Sequence, residues 1–147
     1  MKRRISFVWI ALFAASLLPR PAAAAFHLMQ IDQAIGGVGN DTSAQAVQLS
    51  MRALGNNLLG GNAKLFVRDA TGNNPILITD FLPLANPANN GACRQILIAS
   101  AAFLAKTTPA TTADYTMKSL IPASYLAGGS LTFENTTGIV RVTICNA

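Results

Sequence analysis

The chain is 147 residues long, 51% hydrophobic and only 12% charged, with a formal charge of +5. Lys2, Arg3, Arg4 and Arg20 fall within the first 25 residues, so the remainder holds seven basic and six acidic residues, a balance of +1. Those seven cations are spaced along the chain, which excludes the clustered charge of a phosphate-backbone binder, and the regular apolar spacing excludes a disordered chain.

Residues 1–25 read as a secretory signal peptide. Lys2 to Arg4 is a cationic start, Ile5 to Leu18 an apolar run of 14 residues, and Ala22 to Ala25 a small-residue processing site. The run is short of the roughly 20 residues an α-helix needs to cross a bilayer. The expectation is therefore bacterial export, a secreted or periplasmic product, and no membrane insertion after leader cleavage. Residues 26–147 suit one domain with a core of its own.

The mature chain reads as short strands punctuated by Gly, Asn and Pro. Met29, Ile31 and Ile35 share one side of an opening strand that ends at Gly36-Gly37. In Ala44 to Ala53, Val47, Leu49 and Met51 alternate with Gln48, Ser50 and Arg52, the period of two of a half-buried antiparallel strand. Ala63 to Asp69 alternates in the same way around Leu65 and Val67. Asp69 to Asn74 is turn chemistry, and Pro75 opens a strand through Phe81. Arg94 to Ser100 centres a strand on Ile96, Leu97 and Ile98. Ala101 to Lys106 predicts one helical turn, Thr107 to Ala113 a loop, and Asp114 to Leu120 a short strand. Leu131 and Phe133 then share one face, Asn135-Thr136-Thr137-Gly138 predicts a hairpin turn, and Val140, Val142 and Ile144 alternate in the last strand.

Seven or eight short strands without a long amphipathic helix predict an all-β fold, an antiparallel immunoglobulin-like β-sandwich following the leader. The stretches His27 to Gln33, Gln45 to Met51, Gly55-Asn56-Asn57-Leu58, Val67 to Ala70, Ile96 to Ala99 and Pro122 to Leu126 carry a further likeness. Through them the chain resembles, over residues 28–134, exported bacterial proteins built on a lamin-tail-like, immunoglobulin-type sandwich. That resemblance implies a surface or interaction module and brings no catalytic residues with it.

Cys93 and Cys145 both lie in the mature part, and an exported domain can keep a disulfide. A bridge between them is expected, stabilising by about 4 kcal/mol through loop closure; two separate thiols is the alternative. His27 is the single histidine, which excludes multi-histidine metal centres. Processing after Ala24 leaves Ala25-Phe26-His27, a terminus able to hold Cu(II), against the plainer reading of a surface histidine. Asp69, Thr71, Asn73 and Asp80 fall at calcium-loop offsets, but Asn74 stands where Gly is needed; a hairpin turn is the expectation.

Ser43, Ser50, Ser100, Ser124 and Ser130 lack a nucleophile-elbow frame. The acids Asp32, Asp41, Asp80, Asp114 and Glu134 are scattered along the chain and are read as solvated surface. The sequons at Asn40 and Asn135 are read as Asn-rich turns and Gly36 to Gly39 as a flexible turn. Phe66 and Phe81 are weighed as an aromatic surface patch and read as buried side chains. No catalytic residue, cofactor or metal ligand is assigned. The expected function is an exported non-enzymatic structural or interaction module with a protein or glycan partner and no nucleic acid; the alternative is a small module binding carbohydrate or a metal ion, for which Phe66, Tyr125 and His27 are the residues to test.

Overall fold

A computed structural model describes residues 29–60, 63–82, 84–88, 90–135 and 142–145. The leader, His27 and the turn after Asn135 lie outside them. In chain order the elements are β1 (Met29–Ile35), β2 (Ala46–Met51), β3 (Ala63–Arg68), β4 (Ile76–Asp80), β5 (Gln95–Ala99), α1 (Ala101–Leu104), β6 (Tyr115–Thr116), α2 (Ala123–Leu126), β7 (Ser130–Asn135) and β8 (Val142–Cys145). They form two four-stranded sheets, β1-β2-β5-β6 and β4-β3-β7-β8. Every pairing is antiparallel except β5 with β6, which is parallel and corrects the wholly antiparallel expectation. Among the described residues no helix is long and apolar enough to cross a membrane.

Alternation explains why the sheets face each other. Val47, Leu49 and Met51 of β2 are fully buried, as are Ile96 and Ile98 of β5, and they meet Leu65, Val67, Ile78 and Phe133 of the second sheet in one core. The alternation is clearest in β2 and β3, which bury every second residue against the other sheet. Phe81, just past β4, is fully buried and lies edge-on to Tyr115, with ring centroids 4.8 Å apart. It is a core residue and not part of a surface patch.

The first strand departs from simple alternation. Ile31 pairs with Leu49 but Gln33 pairs with Gln48, so Asp32 is the extra residue of a β-bulge. One inserted residue reverses the inside–outside phase beyond it. Met29 and Ile31 point into the core as expected, whereas Gln33 and Ile35 sit opposite Gln48 and Ala46 on the outer face. The expectation that Ile35 shares a side with Met29 and Ile31 is corrected by this bulge.

Between β1 and β2 the chain reverses at Gly39 and Asn40, with φ of 58° and 66°. Two consecutive left-handed residues between Val38 and Asp41, which exchange backbone hydrogen bonds of 3.2 and 3.1 Å, make the tight hairpin turn that suits twisted strands.

A buried polar clip holds the end of the sandwich where β2 begins and β5 stops. The Gln45 amide is fully buried; its Nε2 donates to Thr42 O (2.7 Å) and Ile121 O (2.9 Å), and its Oε1 accepts from Ile121 N (2.7 Å). Ser100 lies beside it. Its hydroxyl donates to Ser43 O (2.7 Å) and accepts from Gln45 N (3.0 Å) and from Phe103 N (3.1 Å), the last capping α1. Both side chains thus use their full donor capacity. On the long side, Lys118 N donates to Ile78 O at 2.7 Å, so the segment after β6 crosses from one sheet to the other and engages the outer edge of β4.

Replacing Gln45 with Leu keeps the volume but strands the Ile121 N–H and C=O in the interior. With a penalty of about 1–3 kcal/mol for each buried group left unpaired, we expect Gln45→Leu to cost about 3 kcal/mol in urea unfolding. A loss below about 1 kcal/mol would mean that water replaces the amide.

Candidate functional site

Two surfaces stand out, and neither is a cluster of reactive groups. The first is the end of the sandwich where β2 gives way to β3 and β4 to β5. The loop after β2, described over residues 52–60, and the loop after β4, described over residues 81–82, 84–88 and 90–94, meet there. Leu54, Leu58, Leu82 and Leu84 are 74%, 59%, 55% and 40% exposed, and together they are four of the five exposed large hydrophobic residues among those described. A single exposed leucine is unremarkable, but several on neighbouring loops concentrate exposed apolar side chains at one end.

These loops are held in place. Gly55 N donates to Asn90 Oδ1, Asn57 Nδ2 to Pro87 O, and Gly60 N to Asn86 Oδ1, each at 2.7 Å. Gly60 is needed for this approach, because a Cβ there would stand 2.6 Å from Leu84 O. Tyr115 Oη donates to Ala85 O at 3.1 Å. Burial, with the nearby Asp114 charge, pushes that phenol up to about 12, so it stays a donor. Leu59 anchors the first loop in the core. The leucines are therefore displayed on a braced platform, with Arg52 and Arg94 exposed beside it.

The second surface is the outer face of the β1-β2-β5 sheet. A depression of about 230 Å³ opens over Ile35, Ala46 and Leu97, with Gln33 and Gln48 projecting on one side. Phe103 of α1 and the loop carrying Thr107 and Thr111 form its wall. The bulge at Asp32 is what turns Gln33 and Ile35 toward it.

The acids expected on the surface are engaged separately. Asp41 accepts from Ser43 N (2.9 Å) and Ser43 Oγ (2.5 Å) and lies 3.2 Å from Lys106; the Ser43 hydroxyl does most to hold its carboxyl below the usual range. Asp80 pairs with Lys64 at 3.6 Å and Glu134 with Arg68 at 2.6 Å, while Asp114 accepts from Leu97 N at 2.8 Å. Asp69 closes its own turn. One of its oxygens accepts from Thr71 N, Thr71 Oγ1 and Asn73 N, and the other from Asn74 Nδ2. These bonds, Thr71 foremost, hold the carboxyl at about 2.

Asp80, on β4 beside Lys64, lies at the far end of its strand from this turn, so the calcium-loop spacing does not become a site. Among the described residues no three of His, Cys, Asp and Glu gather at one place. Ser43 and Ser100 serve the turn and the clip already described, and the other three serines stand on separate elements. Phe66 is half-buried on the outer face of the second sheet, its ring 5.8 Å from the Arg68 guanidinium carbon. Tyr125 donates its hydroxyl to Asn74 O at 3.1 Å. Phe66, Phe81 and Tyr125 thus do not share a surface.

The expected disulfide is absent. Cys93 is a free, exposed thiol whose backbone N–H donates to Met51 O at 2.7 Å, at the leucine-bearing end. Cys145 pairs with Ser130, opposite which stands Arg68, at the other end. The six residue pairs of β3 and β7 between those ends span about 17 Å at ~3.4 Å per residue, whereas bridged cysteines need Cα atoms within about 7 Å.

Comparison with family models, curated proteins and solved structures finds no match to this chain.

Two outcomes follow from these assignments. The protein, purified under non-reducing conditions and treated with a maleimide, is expected to carry label on the Cys93 peptide; an unlabelled peptide cross-linked to Cys145 would restore the bridge. The Asp69 carboxyl, followed by NMR, is expected to titrate near 2, below its ordinary 3.8. A lowered native pKa means that its contribution to stability is present above pH 3.8 and is lost as pH falls through about 2. An ordinary midpoint would dissolve the turn network.

Proposed function

We propose that this chain is an exported, non-enzymatic interaction module on an immunoglobulin-like sandwich, working in the periplasm, at the cell surface or in the medium. The leader pattern of Lys2 to Ala25 supports export. The chain changes sheets after β2, after β4 and after β6, which is how immunoglobulin-type sandwiches are wound. That winding is in keeping with the lamin-tail-like likeness over residues 28–134.

The observation that carries the reading is the leucine-bearing end. Sheet edges are less open to a partner strand, because Lys118 already bonds the β4 edge and β1 lies against β8. An apolar platform braced by backbone hydrogen bonds contributes affinity by removing leucine surface from water without first ordering the loops. The flanking arginines Arg52 and Arg94 orient a partner and favour one with acidic groups around an apolar patch.

A photo-crosslinking residue placed at Leu58 in the exported protein tests this. It is expected to give one discrete adduct, absent when the same probe replaces Thr71 at the opposite end. Leu54→Ser combined with Leu82→Ser is expected to reduce that adduct about tenfold or more, as the loss of two apolar anchors predicts. Equal labelling from both ends, or an adduct indifferent to the serines, would sink the assignment.

A further inference from the structure

We infer that the depression on the outer face of the β1-β2-β5 sheet is a binding site for a neutral saccharide. This inference is independent of the leucine-bearing end, which lies on another part of the molecule.

The chemistry of the lining selects the ligand class. None of the residues lining the depression is ionisable, so the lining itself offers no charge to balance a phosphate, a carboxylate or an amine; the nearest carboxylate tied to the floor, Asp114, is engaged by Leu97 N at 2.8 Å. Gln33 and Gln48 face each other across the β1·β2 ladder, and neither spends its side-chain amide on the described residues. Cross-strand partners stand about 5 Å apart. Each amide presents an acceptor oxygen and two N–H donors on one edge. A pair at that spacing matches neighbouring hydroxyl groups, each of which donates and accepts at once.

Below the amides, Ile35, Ala46 and Leu97 make an apolar floor, and half-buried Phe103 supplies a ring in the wall. A pyranose has the same division, with hydroxyls around its rim and C–H groups on its faces, and those faces pack on aromatic and aliphatic surface. The volume of about 230 Å³ is that of roughly eight waters, room for one sugar ring with the rest of a chain extending along the open side.

An extended peptide is the competing occupant, and the geometry favours it less. Peptides that use sheets add at an edge. Here the floor is the middle of a sheet, where β2 is paired on both sides with β1 and β5.

The site is also prebuilt. Ser100 caps α1 and bonds Gln45, so the wall carrying Phe103 is fixed by the same clip that closes the sandwich. Thr107 Oγ1 donates to Leu104 O at 2.9 Å and accepts from Thr111 N at 3.1 Å, which holds the rim loop.

The exported protein, recovered after processing, is titrated with neutral mono- and disaccharides of gluco, galacto and manno configuration while side-chain amide NMR signals are followed. The expected result is saturable shifts of the Gln33 and Gln48 NH₂ groups at millimolar sugar, with Gln30, on the same face outside the depression, unmoved. Gln33→Ala and Gln48→Ala are each expected to weaken binding about 3- to 10-fold, the contribution of one neutral hydrogen bond. Gln30→Ala and Leu58→Ser should leave it unchanged. The wild-type shift map stands even where a variant folds poorly. No sugar moving either amide, equal movement of Gln30, or saturation by a neutral extended peptide instead would overturn the assignment.

Discussion

The fold depends on one buried amide. Gln45 stands where an apolar residue would ordinarily continue the core, and its three hydrogen bonds reach Thr42 and both backbone groups of Ile121. A side chain here does what a strand would do, satisfying an N–H and a C=O that have no ladder to join. Because Ile121 is 76 residues away in sequence, this contact ties the second half of the chain to the first hairpin. Ser100 extends the same network into α1, so the wall of the outer depression and the closure of the core share a single origin.

Around that clip the interior and the exposed surface use different residues. The interior is conventional: alternating aliphatic residues from two sheets, with Phe81, Tyr115 and Phe133 filling the gap near the loops. Charged groups are spent singly on local partners, as in the Arg68–Glu134 pair and the turn around Asp69. Two exposed features of the described residues stand apart from these. One is the set of leucines on a braced loop platform, and the other is the pair of glutamine amides over an apolar floor. In both places the surrounding backbone is held by hydrogen bonds, which lowers the entropic cost of ordering it on binding. Their chemistries differ, one being apolar and the other amide-bearing.

The bulge at Asp32 shows how one residue can make a surface. Had β1 kept strict alternation, Ile35 would have followed Ile31 into the core and Gln33 would not stand opposite Gln48. The insertion reverses the pattern for the last part of the strand only. It therefore leaves Met29 and Ile31 packed and sends the next residues to the outer face.

By itself the sequence determined the strand class and nearly every strand position. Val47, Leu49 and Met51, or Leu65 and Val67, are buried because a pleated chain turns every second residue the same way, and that rule needs no knowledge of neighbours. It also located the turn Asp69 to Asn74, which acts through local backbone geometry and short polar side chains, whereas the first hairpin turns at Gly39-Asn40, at the end of the Gly36 to Gly39 stretch read as a flexible turn. Tertiary structure alone decided the rest. Alternation holds its phase only until a residue is inserted, so Ile35 and Gln33 were assigned to the wrong or to no face. Two cysteines in one chain have no fixed separation until strand register puts Cys93 and Cys145 at opposite ends. Leucines in Asn- and Gly-rich loops carry no periodic signal, so their exposure shows only once those loops are laced together. Properties carried by adjacent residues were legible; those set by which strands meet, and in what register, belonged to the folded chain.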